Sequence, residues 1–313
     1  MRRKIFYIDG GAGRVIASIP ALEKYHRLNP NTDWGVMIGG WDSIVWGNSL
    51  LQDITFNPDT KGIFDLWVKD SDIISPEPYR VNGYFNQELS LAEAFDEIIN
   101  QTIDHSDLEP PKLYLNKNEE KTAANVIADM KQQQGDKKYT VVIQPFGRSA
   151  RVDRETIIDD SSRSLDPDSY LRLVKNLSQK CNILLFAEQD FFLQQDTYTF
   201  KVTMDLRGYM ALIESCDYFI GCDSVGQHMA RGFNKPGSVF VGSTFAINTS
   251  YPDYFNIIER NEGKNKKYSP IRIAGLDSHL ADRINDTCMD FTEDEIDAIS
   301  KDILNDIELK VGK

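Results

Sequence analysis

The stretch that most limits what this chain can fold into runs from Tyr218 to Pro236. Tyr218-Phe219-Ile220 is a short apolar run of the kind buried in a sheet. A small polar turn, Gly221 to Gly226, follows, and Gln227 to Phe233 reads as a helix brought to an end by Gly232, Asn234 and Pro236. Ser238 to Gly242 reads as the next strand. Strand, tight turn, helix, strand is a βαβ unit, which commits the chain to parallel strands joined by helical crossovers. In such a sheet a ligand sits beyond the carboxyl ends of the strands. Asp223, Ser224, Gly226 and His228 lie there. The helix start also offers unpaired backbone N–H groups and the positive end of its dipole, which suit a phosphate. A plainer reading stands beside this one. An Asp-Ser turn before a helix is commonly an N-cap, and a lone histidine on such a helix is usually a satisfied core residue.

The chain opens in the same way. Lys4 to Ile8 reads as a strand, which runs into Asp9-Gly10-Gly11-Ala12-Gly13-Arg14. A helix follows from about Val15 to Leu28, with Pro20 expected as a kink or local break, and Asp33 to Ile38 reads as a second strand. Gly-Gly-x-Gly alone is a weak dinucleotide signal, and no acidic residue at the end of the second strand completes the fingerprint. Asp9, at the carboxyl end of the first strand, has two open readings: a catalytic carboxylate or a turn-capping residue.

Composition excludes some classes. Across 313 residues, 41% are apolar and 27% charged, ordinary values for a globular protein. No run approaches the roughly 20 apolar residues of a membrane helix, so no stable membrane insertion is expected. The start is basic and then apolar, but the apolar run stops at Asp9 after four residues, whereas a secretion-signal core needs roughly 7–15. A first strand in a cytoplasmic protein is the expectation. Cys181, Cys216, Cys222 and Cys288 show no paired metal spacing and are expected reduced and structural. A net charge of −13 opposes broad attraction to nucleic acid or anionic lipid. It leaves room for a local basic groove from Arg2, Arg3 and the arginines between 148 and 163.

Between the two βαβ segments the signals are thinner. Trp41, Trp46 and Trp67 sit among short apolar runs, with core packing as the expected role. Pro76-Glu77-Pro78-Tyr79 reads as a loop, Leu89 to Asn100 as an amphipathic helix, and Asn116 opens a helix to about Gln133. Gln132 to Lys138 is the most linker-like stretch, so the boundary is placed there, dividing the chain into 1–135 and 136–313. Tyr139 to Gln144 is then a strand. Pro145 to Ser162 is a long polar loop, Pro167 to Leu177 a helix, Asn182 to Ala187 a strand, Met204 to Leu206 a short strand and Gly208 to Ser215 a helix. Glu188 lies just past a strand end, where a base or ribose could be met. Thr292 and Glu295 form a plausible capping box for a last helix to Leu309.

Several of these residues resemble the heptosyltransferase-like glycosyltransferases, glycosyltransferase family 9. That family's pattern is an apolar strand, Asn-Asp-Ser/Thr-Gly, two variable residues, His-Leu-Ala and then Gly-Lys-Pro. Here stand Cys222-Asp223-Ser224-Val225, His228-Met229-Ala230 and Asn234-Lys235-Pro236. The family's glycine after Ser/Thr is Val225, with Gly226 one place later, which shifts the amide expected to meet a phosphate. The first turn of the family reads Gly-Gly-x-Gly-Asp and its helix Thr-Pro-Ala-Leu. Here they are Gly10-Gly11-Ala12-Gly13-Arg14 and Ser18-Ile19-Pro20-Ala21-Leu22. Arg163-Ser164-Leu165-Asp166 stands where the family has Lys-Arg-Trp-Pro, Gly242-Ser243-Thr244 where it has Gly-Pro-Thr, and Cys288-Met289 where it has Cys-Met.

The resemblance implies an α/β chain of two Rossmann-like domains facing a cleft, the GT-B architecture, with the last helix able to cross back to the first domain. It implies a metal-independent glycosyltransferase moving a sugar from a nucleotide-diphospho-sugar to a hydroxyl on a glycan or other acceptor, with no cofactor. The donor would be held by Arg163, Glu188, Asp223, Ser224, Val225, Gly226 and His228, and the acceptor would lie near Asp9, Gly10, Gly11, Ala12, Gly13 and Arg14. The family's general base is the aspartate that Arg14 replaces, and a guanidinium cannot accept a proton. Asp9 is the expected substitute and Asp42 the next. Two alternatives remain: a catalytically silent relative that binds a nucleotide or sugar, and a glycosyltransferase acting on modified DNA bases.

Overall fold

The computed structural model describes residues 2–153, 156–159, 161–187, 197–259 and 289–312, and the statements that follow are made of these. The chain divides into two compact units, Met1–Asn116 and Lys117–Lys313.

The first unit contains β1 (Lys4–Ile8), α1 (Ala12–Leu28), β2 (Trp34–Ile38), β3 (Thr55–Phe56), β4 (Asp72–Ile74), α2 (Asn82–Phe85) and α3 (Leu91–Asn100). Its strands form one parallel sheet in the order β3-β2-β1-β4. Ile5, Phe6 and Ile8 of β1 and Ile16, Ile19 and Leu22 of α1 are all fully buried, and the Phe6 ring meets Tyr25 of α1 edge-on. Helix α1 starts at Ala12, earlier than its apolar pattern suggests, and continues through Pro20 rather than breaking. An interior proline costs a helix about 3 kcal/mol. Here nearly every residue from Ala12 to Tyr25 is buried, and that packing outweighs the lost backbone bond. The expected packing role holds for neither exposed Trp46 nor half-buried Trp41; Trp34 is the buried tryptophan of this sheet.

The second unit contains α4 (Lys117–Gln134), β5 (Tyr139–Gln144), β6 (Arg151–Asp153), β7 (Thr156–Ile158), α5 (Pro167–Leu177), β8 (Cys181–Leu185) and β9 (Thr199–Lys201). It continues with α6 (Leu206–Ser215), β10 (Tyr218–Cys222), α7 (Val225–Gly232), β11 (Gly237–Phe240), α8 (Ala246–Thr249), β12 (Asn256–Ile258) and α9 (Glu293–Val311). Six strands form a parallel sheet in the order β12-β11-β10-β5-β8-β9. The long polar loop expected after β5 carries a small antiparallel hairpin, β6-β7. The strand expected at 204–206 is instead the start of α6, because the Asp205 side chain accepts from Gly208 N and caps that helix.

The expected domain boundary changes. The linker-like 132–138 stretch is tied to the second sheet. Gln134 Nε2 donates to Tyr198 O, Ile183 N donates to Gln134 Oε1, and buried Asn182 bonds both Gly135 and Lys137. The Glu119 carboxylate also grips Arg207 of α6 at 2.6 Å. Helix α4 therefore belongs to the second unit, and the boundary falls at 116/117. The last helix packs on α5 of its own unit. Ile296, Ile303 and Ile307 enter that core, and Arg172 and Asn176 reach Asp297. Both hydrogen bonds of its expected capping box form, between Thr292 and Glu295.

Candidate functional site

In the second unit the carboxyl ends of β5, β10 and β11 lie side by side in register, and the turns leaving them meet. Asp223 is buried with both carboxylate oxygens engaged. Gln227 Nε2 donates to Oδ1 and Thr244 Oγ1 to Oδ2, each at 2.8 Å. This brace joins the β10–α7 turn to the loop after β11, so Asp223 shapes the site and its carboxylate is not open to a ligand. Ser243 Oγ in turn donates to Ser161 O at 2.6 Å.

Arg163 lies against the same turn. Its Nη1 donates to Asp223 O, its Nε to Ser161 Oγ and its Nη2 to Ser149 Oγ. Beneath it Asp159 accepts from Ser149, Ser161 and Ser164. Burial would raise the Asp159 carboxyl, but the Ser161 and Ser164 bonds and the charge of Arg163 outweigh it and hold the group below the usual carboxylate range. Ser162, the residue before Arg163, adopts φ +50°, a left-handed conformation that costs a non-glycine residue on the order of 1 kcal/mol. The arginine is thus a held group, half-exposed beside Ser224.

Ser224 stands at the N-cap of α7 yet its hydroxyl makes no capping bond, so the common explanation of an Asp-Ser turn does not account for it. The expected amide of Gly226 is already engaged: Gly226 N donates to Gln144 Oε1 at 2.8 Å. Gly226 is buried while Ser224 and Val225 are half-exposed. His228 is buried, with Nδ1 2.8 Å from the Tyr251 hydroxyl. Burial pushes its pKa down to about 4 against the opposing pull of Asp223, so the ring is neutral near pH 7. Tyr251 itself sits at φ +50°, and burial raises its phenol. Glu188, Arg154 and Cys288 lie outside the described residues. Cys181, Cys216 and Cys222 are free and buried, with burial pushing each thiol up.

The first unit presents its own turn. Gly10 has φ +91°, a conformation open to glycine, and Gly11 precedes the first residue of α1. Trp41 Nε1 donates to Gly10 O. The Arg14 side chain is 3% exposed, with Nη2 2.9 Å from Asp9 Oδ1 and Nη1 3.3 Å from Glu77 Oε1. Nη2 also donates to Pro76 O at 2.7 Å. The guanidinium lies over the rings of Tyr79 and Phe95. Arg14 therefore clamps the 76–79 loop to the end of β1. Asp9 keeps 46% side-chain exposure. Asp42, the second carboxylate considered, accepts from Asn57 Nδ2.

Sequence reading named no site role for Gln144, Asp159, Gln227 or Tyr251, and of these only Gln144, at a strand end, offered a signal. Glu77 stands in the 76–79 loop, a candidate carrier of acceptor contacts, and Thr244 in the segment matched to the family's Gly-Pro-Thr, both without assigned roles. No group of residues that could hold a metal occurs among the described residues, and none of their helices is long and apolar enough to cross a membrane.

No protein-family model matches the sequence, and no curated protein matches it. Solved structures do. A family 9 glycosyl transferase from Veillonella parvula superposes with a TM-score of 0.72 at 11% identity, covering 97% of each chain. ADP-heptose LPS heptosyltransferase II from E. coli gives 0.62 at 13% identity over 96% of this chain and 99% of that one. The dodecameric iron-containing heptosyltransferase TibC in complex with ADP-D-β-D-heptose gives 0.61 at 11% identity over 98% of this chain and 76% of that one. With two Rossmann-like units of parallel strands and helices, the chain has the GT-B fold shared by these glycosyltransferases.

Proposed function

We propose that the chain is a glycosyltransferase that uses a nucleotide-diphospho-sugar. The observation that carries this is the β10–α7 turn, where the half-exposed Ser224 lies at a helix N-terminus without capping it and Arg163 is fixed on the carbonyl of the preceding Asp223. Hydroxyl, amides and guanidinium together suit a diphosphate leaving group. In the reaction an acceptor oxygen bonds to the anomeric carbon and the bond from that carbon to the diphosphate breaks. The acceptor proton passes to a carboxylate, and the nucleoside diphosphate departs. Preset donors at the leaving group lower the cost of its developing charge. The fold likeness to TibC, solved in complex with ADP-D-β-D-heptose, supports a nucleotide sugar as ligand.

A thermal-shift screen of ADP, GDP, UDP and their sugars tests this, because a bound donor raises the midpoint by selecting the folded state. Ser224→Ala and Arg163→Ala are expected to shrink the shift, and undiminished shifts in both would remove the diphosphate assignment. The transfer is proposed to need no metal, so binding and turnover should survive chelation. Activity abolished by a chelator and restored by a divalent metal would overturn that part.

A second reading is a sugar- or nucleotide-binding relative without turnover. Arg14 favours it, because its cation engages both carboxylates nearest the acceptor loop. Donor binding with no transfer and no donor hydrolysis would select it.

A further inference from the structure

We propose that Gln144 is a positioning residue that aims the Ser224 hydroxyl proton at the donor diphosphate, an inference that rests on the donor site described above. Gln144 ends β5 and is 3% exposed, directly under the β10–α7 turn. Its carboxamide orientation follows from chemistry. A backbone N–H can only donate, so the atom 2.8 Å from Gly226 N must be the carbonyl oxygen. The amide nitrogen then faces Ser224 Oγ at 3.3 Å and donates to it. Ser224 Oγ is an acceptor in that bond, and its own proton is directed away from Gln144. Ser224 Oγ accepts no capping bond from a backbone N–H of α7, and Ser224 is half-exposed. An anion at the helix start is the partner it suits.

The same contact explains a departure in the turn. A Cβ at position 226 would collide with Gln144 Oε1 and come within 2.8 Å of the Phe219 ring. Glycine is therefore required one place after Val225, where the Gln144 carboxamide meets the backbone. Gln144 and Gly226 act as a matched pair. The Gly226 amide goes to the glutamine, and the hydroxyl proton of Ser224 is left for the ligand. Replacing the amide nitrogen by oxygen in Gln144→Glu keeps the acceptor for Gly226 and the volume. It turns the partner of Ser224 into an acceptor, which draws the hydroxyl proton inward.

The test is a pair of double-mutant cycles on the full chain. Binding of ADP, GDP and UDP is measured by calorimetry for wild type, Gln144→Glu, Gln144→Leu, Ser224→Ala and the two doubles. Thermal midpoints without ligand confirm folding, and Gln144→Glu keeps the test valid if the leucine variant fails to fold. Ser224→Ala should weaken the tightest-binding diphosphate by about tenfold. Gln144→Glu should weaken it more in the Ser224 background than in the Ser224→Ala background, again by about tenfold, since the extra charge acts in both and cancels in the cycle. A purely structural glutamine would give equal losses in the two backgrounds, and that result overturns the inference while leaving the donor site standing. If wild type binds none of the three diphosphates, the donor site itself falls and the inference with it.

Discussion

Arg14 shows how one substitution redirects a site. The position is where the resemblance expects a proton acceptor, and the structure puts there a buried cation between Asp9 and Glu77. Of those two carboxylates Asp9 is the more exposed, at 46% against 25%, and it ends the first strand. Asp9→Asn is expected to lower turnover at least about tenfold with donor affinity unchanged, read by steady-state kinetics beside calorimetry. Full activity would place the base elsewhere. His228 makes a prediction in pH. Its pKa is 6.5 when unfolded and about 4 when folded. As pH falls below 6.5 the unfolded chain takes up a proton that the folded chain refuses, so stability falls until about pH 4 and is complete above 6.5. Urea unfolding should show wild type losing about 3 kcal/mol more than His228→Gln across that window. Equal losses would mean that the ring is not held neutral.

The helices were legible in proportion to how local their signals are. Asp166-Pro167 and Thr292 with Glu295 predict two helix starts, and each forms as predicted, with Asp166 accepting from Ser169 N and the Thr292 box closed. Capping is a contact within four residues, so it needs no knowledge of the fold. Thr292→Ala should cost about 1 kcal/mol, seen as a lower thermal midpoint with donor binding unchanged. The strand expected at 204–206 did not form, and of the kink or break expected at Pro20 the break did not occur, for the opposite reason. Strand pairing and burial depend on neighbours that local composition does not name.

At the scale of the whole chain the boundary is the main revision. Residues 132–138 are polar and read as a linker, yet Gln134, Gly135 and Lys137 are hydrogen-bonded to β8 and its surroundings. Helix α4 also buries Ala123 and Met130. A fragment of residues 117–313 should therefore melt cooperatively, whereas 136–313 should melt at a clearly lower temperature or not fold, as read by circular dichroism. Equal melting of the two would return the boundary to 135. By itself the sequence determined the parallel α/β class, the two glycine-containing turns at strand ends, the helix caps and the candidate role of Ser224. These follow from periodicity, turn chemistry and spacing, which are properties of short segments. The candidate role of Arg163 came from the family resemblance alone. Only the tertiary structure decided that Asp223 braces Thr244 and Gln227, that Asp159 and three serines hold Arg163, that Arg14 joins Asp9 to Glu77, and that Gln144 occupies the Gly226 amide. The contacts that join different turns bridge long stretches of chain, 21 residues for Asp223 and Thr244 and 82 for Gly226 and Gln144. A buried polar group must find a partner, but which partner is set by the elements that the fold makes neighbours.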